Sequence, residues 1–144
     1  MAAARFFGSF EHSLDDKGRV ILPVKFRSPF EHGGYLARDD EGCLALWAPE
    51  EFEAQMVAKQ EMAASGVDAR NAVRRWARWC HEVEVDRQGR MPIPVRLREL
   101  ARLTGDVLVV GAIDRVELWD PGTWEERVEP GRPVDNSGDG GLAP

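Results

Sequence analysis

Alternation opens the chain. Phe10, His12 and Leu14 alternate with Glu11 and Ser13, the period of two that marks a half-buried strand. His81, Val83 and Val85 alternate with Glu82 and Glu84 in the same way. Each segment runs into a polar turn ending in glycine, DDKG at 15–18 and DRQG at 86–89. Glycine supplies the positive φ that such turns require. The short strands RVIL and RMPI follow. Val20 and Leu22 are predicted on one side, Met91 and Ile93 likewise, with Arg19 and Arg90 on the other. The pattern predicts a hairpin in each case, with an arginine just past its turn.

Pro23 and Pro94 come next, the residue type that suits a first helical position. VKFRSPF and VRLRELARL are predicted as short helices, the first ended by Pro29 and Gly33-Gly34, the second by Thr104-Gly105. A further hairpin follows each, with strands at 35–37 and 44–47 about a DDEG turn, and at 107–110 and 116–119 about a turn near Asp114. APEEF and DPGTW then each start a helix. An acidic helix is predicted over 49–64, carrying Glu50, Glu51, Glu53 and Glu61 and broken at Ser65-Gly66. Asp68 is expected to cap the next helix. There Ala69, Ala72, Val73, Trp76 and Trp79 form an apolar stripe and Arg70, Arg74 and Arg78 a basic one.

These elements occur twice. DDKGRVILPVKFR (15–27) and DRQGRMPIPVRLR (86–98) share Asp15/Asp86, Gly18/Gly89, Arg19/Arg90, Pro23/Pro94, Val24/Val95 and Arg27/Arg98 at a spacing of 71. Repeats at 9–52 and 79–122 would flank a connecting helix pair at 53–78. A unit of roughly 50–70 residues is marginal alone, so the repeats should share one core, or the chain should oligomerise. From 129 to 144, seven of sixteen residues are Gly or Pro, which predicts a disordered tail.

Composition is that of a globular protein, 43% hydrophobic and 31% charged. No apolar run approaches the roughly 18–20 residues that span a membrane, and MAAARFFGSF lacks the apolar core of a secretory signal, so a cytoplasmic protein is expected. Cys43 and Cys80 have no CxxC spacing and read as free thiols rather than zinc ligands or a disulfide framework. The net charge of −6 and pI of about 5.1 count against a nucleic-acid binder. The distribution softens that. Nine arginines against four acids lie between 70 and 102, and sixteen of nineteen cations are arginine, the better residue for bidentate contacts to phosphate and guanine.

The chain has no GxSxG, P-loop, HExxH, or GxGxxG after a strand. Asp15 and Asp86 are paired carboxylates of the kind acid–base chemistry uses. Their glycine turns favour a structural role, in which Asp15 orients Arg19 four residues on. Arg19 and Arg90 share one strand parity beside Lys17, Lys25, Arg87 and Arg96. If the repeats pack about a pseudo-two-fold axis, both arginines reach one surface. A paired β-ribbon fits the major groove, with arginine on base edges and other cations on phosphate. Arg70, Arg74 and Arg78 are expected to pair with the acidic helix or a neighbouring subunit. Trp47, Trp119 and Trp124 are expected in the core or an interface.

DDKGRVILPVKFR, VDRQGRMPIPVRLRELARL and VVGAIDRVELWD, with the opening FFGSFEHSLDDKGR, closely resemble the MraZ family of bacterial transcriptional regulators over about residues 6–128. One D-x-x-G-R-x-x-x-P motif would indicate only the wider AbrB/SpoVT class; the pair, with ELWD after the second, is more specific. The resemblance implies an α+β fold, a double-ψ β-barrel of the AbrB/SpoVT type built from two tandem repeats, with peripheral helices. It implies a ring-shaped homo-oligomer, nucleoid-associated, that binds direct repeats in the promoter of the division and cell-wall gene cluster. No cofactor, metal, membrane or small-molecule substrate is implied. DNA binding would fall to Arg19 and, by repeat, Arg90, with Lys17 and Arg87; Gln88 stands where the first turn has Lys17. Two rivals from other classes are a barrel enzyme using Asp15 and Asp86, and an antitoxin-like protein-interaction module.

Overall fold

A computed structural model of the chain describes residues 4–131. The predicted tail, from residue 132 on, lies outside the described residues. The fold is mixed α/β. Its elements are β1 (Phe6–Ser13), β2 (Arg19–Ile21), β3 (Gly34–Arg38), β4 (Leu44–Trp47), α1 (Pro49–Ala63), α2 (Val67–Ala77), β5 (His81–Val83), β6 (Arg90–Pro92), α3 (Val95–Leu100), β7 (Asp106–Ile113), β8 (Val116–Trp119) and α4 (Pro121–Arg127).

Six strands form an antiparallel sheet in the order β1-β7-β8-β4-β3-β5, and β2 pairs with β6 in a separate ribbon. Exchanging the repeats turns β1 into β5, β3 into β7 and β4 into β8, so the sheet order is the same from either end. The repeats meet at its centre, where Ala45 faces Glu117 between the Leu44–Leu118 and Leu46–Val116 rungs. The sheet does not close on itself: β1 and β5 are its edges.

The hairpins β3–β4 and β7–β8 form as predicted. The first hairpin of each repeat does not. The turn closes locally, with Asp15 N–H donating to Arg19 O at 2.9 Å and Gly18 N–H to Asp15 O at 3.0 Å. Beyond it the strands part. β1 pairs with β7 of the other repeat, β5 pairs with β3, and β2 pairs with β6. Alternation sets which face of a strand is buried and says nothing about its neighbour. Pairing across the repeats brings Val20 opposite Met91, both fully buried.

One core results. Val20, Leu22 and Phe26 of the first repeat and Met91, Ile93 and Leu97 of the second lie in a single buried cluster with Leu36, Leu44, Val109 and Leu118. Phe6 stacks on Phe30 and meets Phe26 edge-on, both with ring centroids 5.5 Å apart. The helix pair covers the other face of the sheet, where Phe52 stacks between Tyr35 and Trp76 over Ala37, Ala45 and Trp47. Trp47 and Trp119 are buried as expected.

Three local expectations change. VKFRSPF forms two short 3-10 turns, Val24–Phe26 and Ser28–Phe30, rather than an α-helix. Pro29 has no amide proton to continue a helix; Leu100 stands at that place in the second repeat, and α3 forms. Gly66, not Asp68, is the N-cap of α2; Asp68 lies in the first turn, and no side chain caps the helix. Among the described residues, no ion pair joins the α2 arginines to α1. Arg74 instead donates to Asn71 at 2.8 Å, and Arg78 lies over the Trp79 ring.

The ribbon has little of its own to hold it, so its buried pair should dominate its stability. Met91→Ala removes most of a fully buried side chain and is expected to cost about 2–5 kcal/mol. Urea denaturation should show a lower midpoint at unchanged slope; a shift within error would mean that the core does not close around the ribbon.

Candidate nucleic-acid interface

The register of the ribbon determines where the arginines go. Arg19 faces Pro92, Val20 faces Met91 and Ile21 faces Arg90. Val20 and Met91 point into the core, so Arg19, Ile21, Arg90 and Pro92 share the outer face. Arg19 and Arg90 are diagonal neighbours across the two strands, an arrangement that sets Cα atoms roughly 7–8 Å apart. Their side chains are 25% and 37% exposed. Lys17 and Arg87 are exposed in the turns that enter the ribbon from opposite ends.

Each arginine is held by the aspartate of its own turn. Asp15 Oδ2 accepts from Arg19 Nε at 2.8 Å, while its Oδ1 accepts the amide protons of Lys17 and Arg19, both at 2.9 Å. Asp86 repeats the arrangement, with Arg90 Nε at 2.7 Å and the amides of Gln88 and Arg90 at 2.9 Å. The Arg19 amide, more than the Lys17 amide or the Arg19 guanidinium, holds Asp15 below its ordinary value of 3.8, against a smaller opposing effect of burial. The Arg90 amide does the same for Asp86. Both carboxylates thus spend both oxygens on their own turns, the structural role that a glycine turn favours. Each guanidinium is bound through Nε, and its terminal nitrogens have no hydrogen-bond partner among the described residues.

Lys25 and Arg96 stand apart from this group. Lys25 lies over the Phe10 ring at 5.5 Å and Arg96 over Trp79 at 5.3 Å. Arg70 and Arg74 are exposed on α2.

Two residues at the site had no role assigned from sequence. Arg27 donates Nε–H to Leu22 O at 2.8 Å, and Arg98 to Ile93 O at 2.9 Å. Their guanidinium groups lie against the glycines of the opposite repeat. A Cβ on Gly18 would meet Arg98 Cζ at 2.7 Å, and one on Gly89 would run into Arg27. The signal was present, since both arginines recur eight residues after the motif arginine, but the partner across the repeats is not legible in a linear pattern.

Cys43, Asp39 and Glu117 form a compact cluster on the other side of the sheet. Its groups are engaged elsewhere: Glu117 accepts from Arg115 Nε at 2.8 Å and Trp119 Nε1 at 3.0 Å, and Asp39 from the Glu41 amide at 2.8 Å. Burial first, then the Glu117 charge, pushes the Cys43 thiol far up, so it stays protonated. This is a structural network. Cys43 and Cys80 are both free, Cys43 buried and Cys80 half-buried.

The two repeats together thus build one β-ribbon with a pair of arginines on its outer face. The comparisons give the family. The chain matches the family described as "MraZ protein, putative antitoxin-like" over residues 6–75 and 78–130. It is 40% identical over 120 residues to the Transcriptional regulator MraZ of Acetivibrio thermocellus, covering 83% of this chain and 84% of the relative. It is 36% identical over 124 residues to that of Kocuria rhizophila, covering 86% and 87%. The Lactiplantibacillus plantarum protein of the same name is 36% identical over 121 residues, covering 84% and 86%. The chain belongs to the MraZ family, whose named relatives are transcriptional regulators and not enzymes.

Two outcomes follow from the turns. Gly18 and Gly89 have φ of +74° and +83°, and each lies against a guanidinium, so Gly18→Ala and Gly89→Ala each combine strain with a clash. Each is expected to destabilise by more than about 1 kcal/mol, read by thermal melting; unchanged melting would mean that the latch yields freely. A lowered carboxyl pKa contributes stability that is fully present above the unfolded value and is lost as pH falls through the folded one. Carboxyl-detected NMR titration should place both midpoints below 3.8. Asp15 should remain below it in Arg19→Ala, because the amides that hold it are still there. A midpoint at the ordinary value would contradict the turn geometry.

Proposed function

We propose that the chain is a sequence-specific DNA-binding transcription regulator of the division and cell-wall gene cluster. Arg19 and Arg90 read base edges, and Lys17 and Arg87 contact phosphates. The observation that carries this reading is the ribbon face, where two arginines fixed through Nε keep their terminal nitrogens free. A bidentate contact to guanine O6 and N7 uses such nitrogens. The family membership and the relatives' names support the same conclusion.

The target is double-stranded DNA at direct promoter repeats, bound by a ring-shaped homo-oligomer. Met56, Val57, Met62 and Val67 are exposed on the helix pair and offer apolar surface for self-association. Repeated subunits on repeated sites gain avidity without strong single contacts. No helix among the described residues is long and apolar enough to cross a membrane, and the protein works in the cytoplasm, associated with the nucleoid. The repeats, 9–52 and 79–122, act as one double-ψ unit joined by the helix pair at 53–78. The exchange of β1, β2 and their counterparts between repeats supports that assignment.

Fluorescence anisotropy with promoter DNA across a salt series tests the reading. Arg19→Ala and Arg90→Ala should each cost about 1–3 kcal/mol and relax sequence preference, whereas Lys17→Ala should weaken all sequences alike and lower the salt slope by about 1. Binding that survives both arginine substitutions would move the interface off the ribbon. No binding at low salt by the folded protein would overturn the reading.

A further inference from the structure

The turns that carry Lys17 and Arg19, and Arg87 and Arg90, lie open to solvent on one side. On the other side each is closed by the opposite repeat. Gly18 O accepts the Ile93 amide proton at 3.1 Å, and Gly89 O accepts that of Leu22 at 2.7 Å. The carbonyls of those same two residues, Ile93 and Leu22, take Nε–H from Arg98 and Arg27. Each guanidinium then fills the space where a side chain on the buried turn glycine would stand. Peptide bond, guanidinium and glycine form one closed contact at each end of the ribbon. Glycine permits positive φ without enforcing it. The flat guanidinium supplies the wall that enforces it, and an ammonium group has no such plane.

We propose that Arg98 is the positioning residue for the turn of Lys17 and Arg19, and Arg27 for the turn of Arg87 and Arg90. Each repeat's DNA-facing arginine is therefore set by the other repeat. This rests on the DNA-binding reading above and gives that site its unit of function: the pair of repeats, with each turn capped by its own aspartate and seated by the other half. Removing the guanidinium leaves the turn with its aspartate cap and one backbone bond to the opposite repeat but without its wall, so the motif arginine can move out of register with a base edge.

The full-length protein tests this in two ways. In anisotropy titrations, Arg98→Gln and Arg27→Gln are combined with Arg19→Ala and Arg90→Ala. Arg98→Gln should weaken specific binding, and most of that loss should vanish in the Arg19→Ala background, a non-additivity of about threefold or more in Kd. In the Arg90→Ala background its effect should persist in full. Arg27→Gln should show the mirror pattern. Loss by general destabilisation would depend on neither background, and equal coupling to both would overturn the proposal.

Hydrogen exchange read by mass spectrometry, without DNA, gives the second measure. Arg98→Gln should speed exchange across 15–19 and leave 86–90 unchanged, with Arg27→Gln doing the reverse. Uniform acceleration, or acceleration in the variant's own repeat, would refute the cross-repeat positioning. If a glutamine variant fails to fold, Arg98→Lys and Arg27→Lys carry the same comparisons, with the charge and stem retained and the plane lost. The exchange result stands even if the wild type fails to bind DNA, so failure of the positioning and failure of the DNA reading are separable.

Discussion

A three-residue strand has no stability of its own. β2 and β6 are both that short, and each finds its ladder partner in the other. Their pairing needs a buried side chain from each repeat, and Val20 and Met91 supply it. A slip of one residue would turn both inward groups out and carry the arginines into the core. The glycine carbonyls at either end add a further rung, to Leu22 and Ile93, and these rungs lock the register. The outward placement of Arg19 and Arg90, the seating of the turns and the fusion of the repeats into one core all follow from this crossing.

The crossing also explains where the symmetry stops. Strands exchanged between repeats give a sheet whose order is palindromic, and the ribbon inherits the same axis. The helix pair α1–α2 occurs once, between the repeats, and covers one side of the sheet through Phe52 and Trp76. At the central rung the repeats differ as well. Ala45 faces Glu117, which is buried and bound on both oxygens by Arg115 and Trp119. A carboxylate on both strands would place two like charges side by side in the interior, an unfavourable cross-strand pair. A single chain with diverged repeats avoids that conflict, as two copies of the second repeat could not.

What was legible in the sequence was whatever depends on one segment at a time. The β3–β4 and β7–β8 hairpins followed from strand and turn patterns, α1 from its Pro start and Ser65-Gly66 break, α2 from its apolar stripe, and the outward parity of Arg19 and Arg90 from alternation. The Asp15–Arg19 pair followed from turn chemistry at short range. Choices between distant segments were not legible. Phe10 to Leu14 and Val20 to Leu22 look like adjacent strands of one hairpin, because alternation carries no partner label. The acidic α1 and basic α2 looked like an ion-paired hairpin, but the contacts between them include the Phe52–Trp76 stack and Lys59 over the Trp76 ring, with no ion pair among the described residues. Arg27 and Arg98 were visible as repeated letters; their role appears only when the opposite glycine is beside them.

The overall charge of −6 is a weak argument against a DNA-binding surface, for a physical reason the ribbon makes concrete. At physiological ionic strength the field of an exposed charge decays over about 8 Å, so an approaching phosphate responds to the ribbon and its turns more than to acids elsewhere. Lys17, Arg19, Arg87 and Arg90 lie within that patch, together with Asp15, Asp16 and Asp86. The three carboxylates subtract charge, and the exposed ion pairs of Asp15 and Asp86 add little stability, of the order of 0–1 kcal/mol. Their effect is geometric. Binding each guanidinium through Nε leaves the two terminal nitrogens of a planar group aimed from a fixed edge. A bidentate contact needs that orientation, and a freely rotating arginine would have to give up entropy to reach it. Under the proposed DNA-binding reading, the carboxylates weaken long-range attraction and strengthen short-range discrimination between sequences.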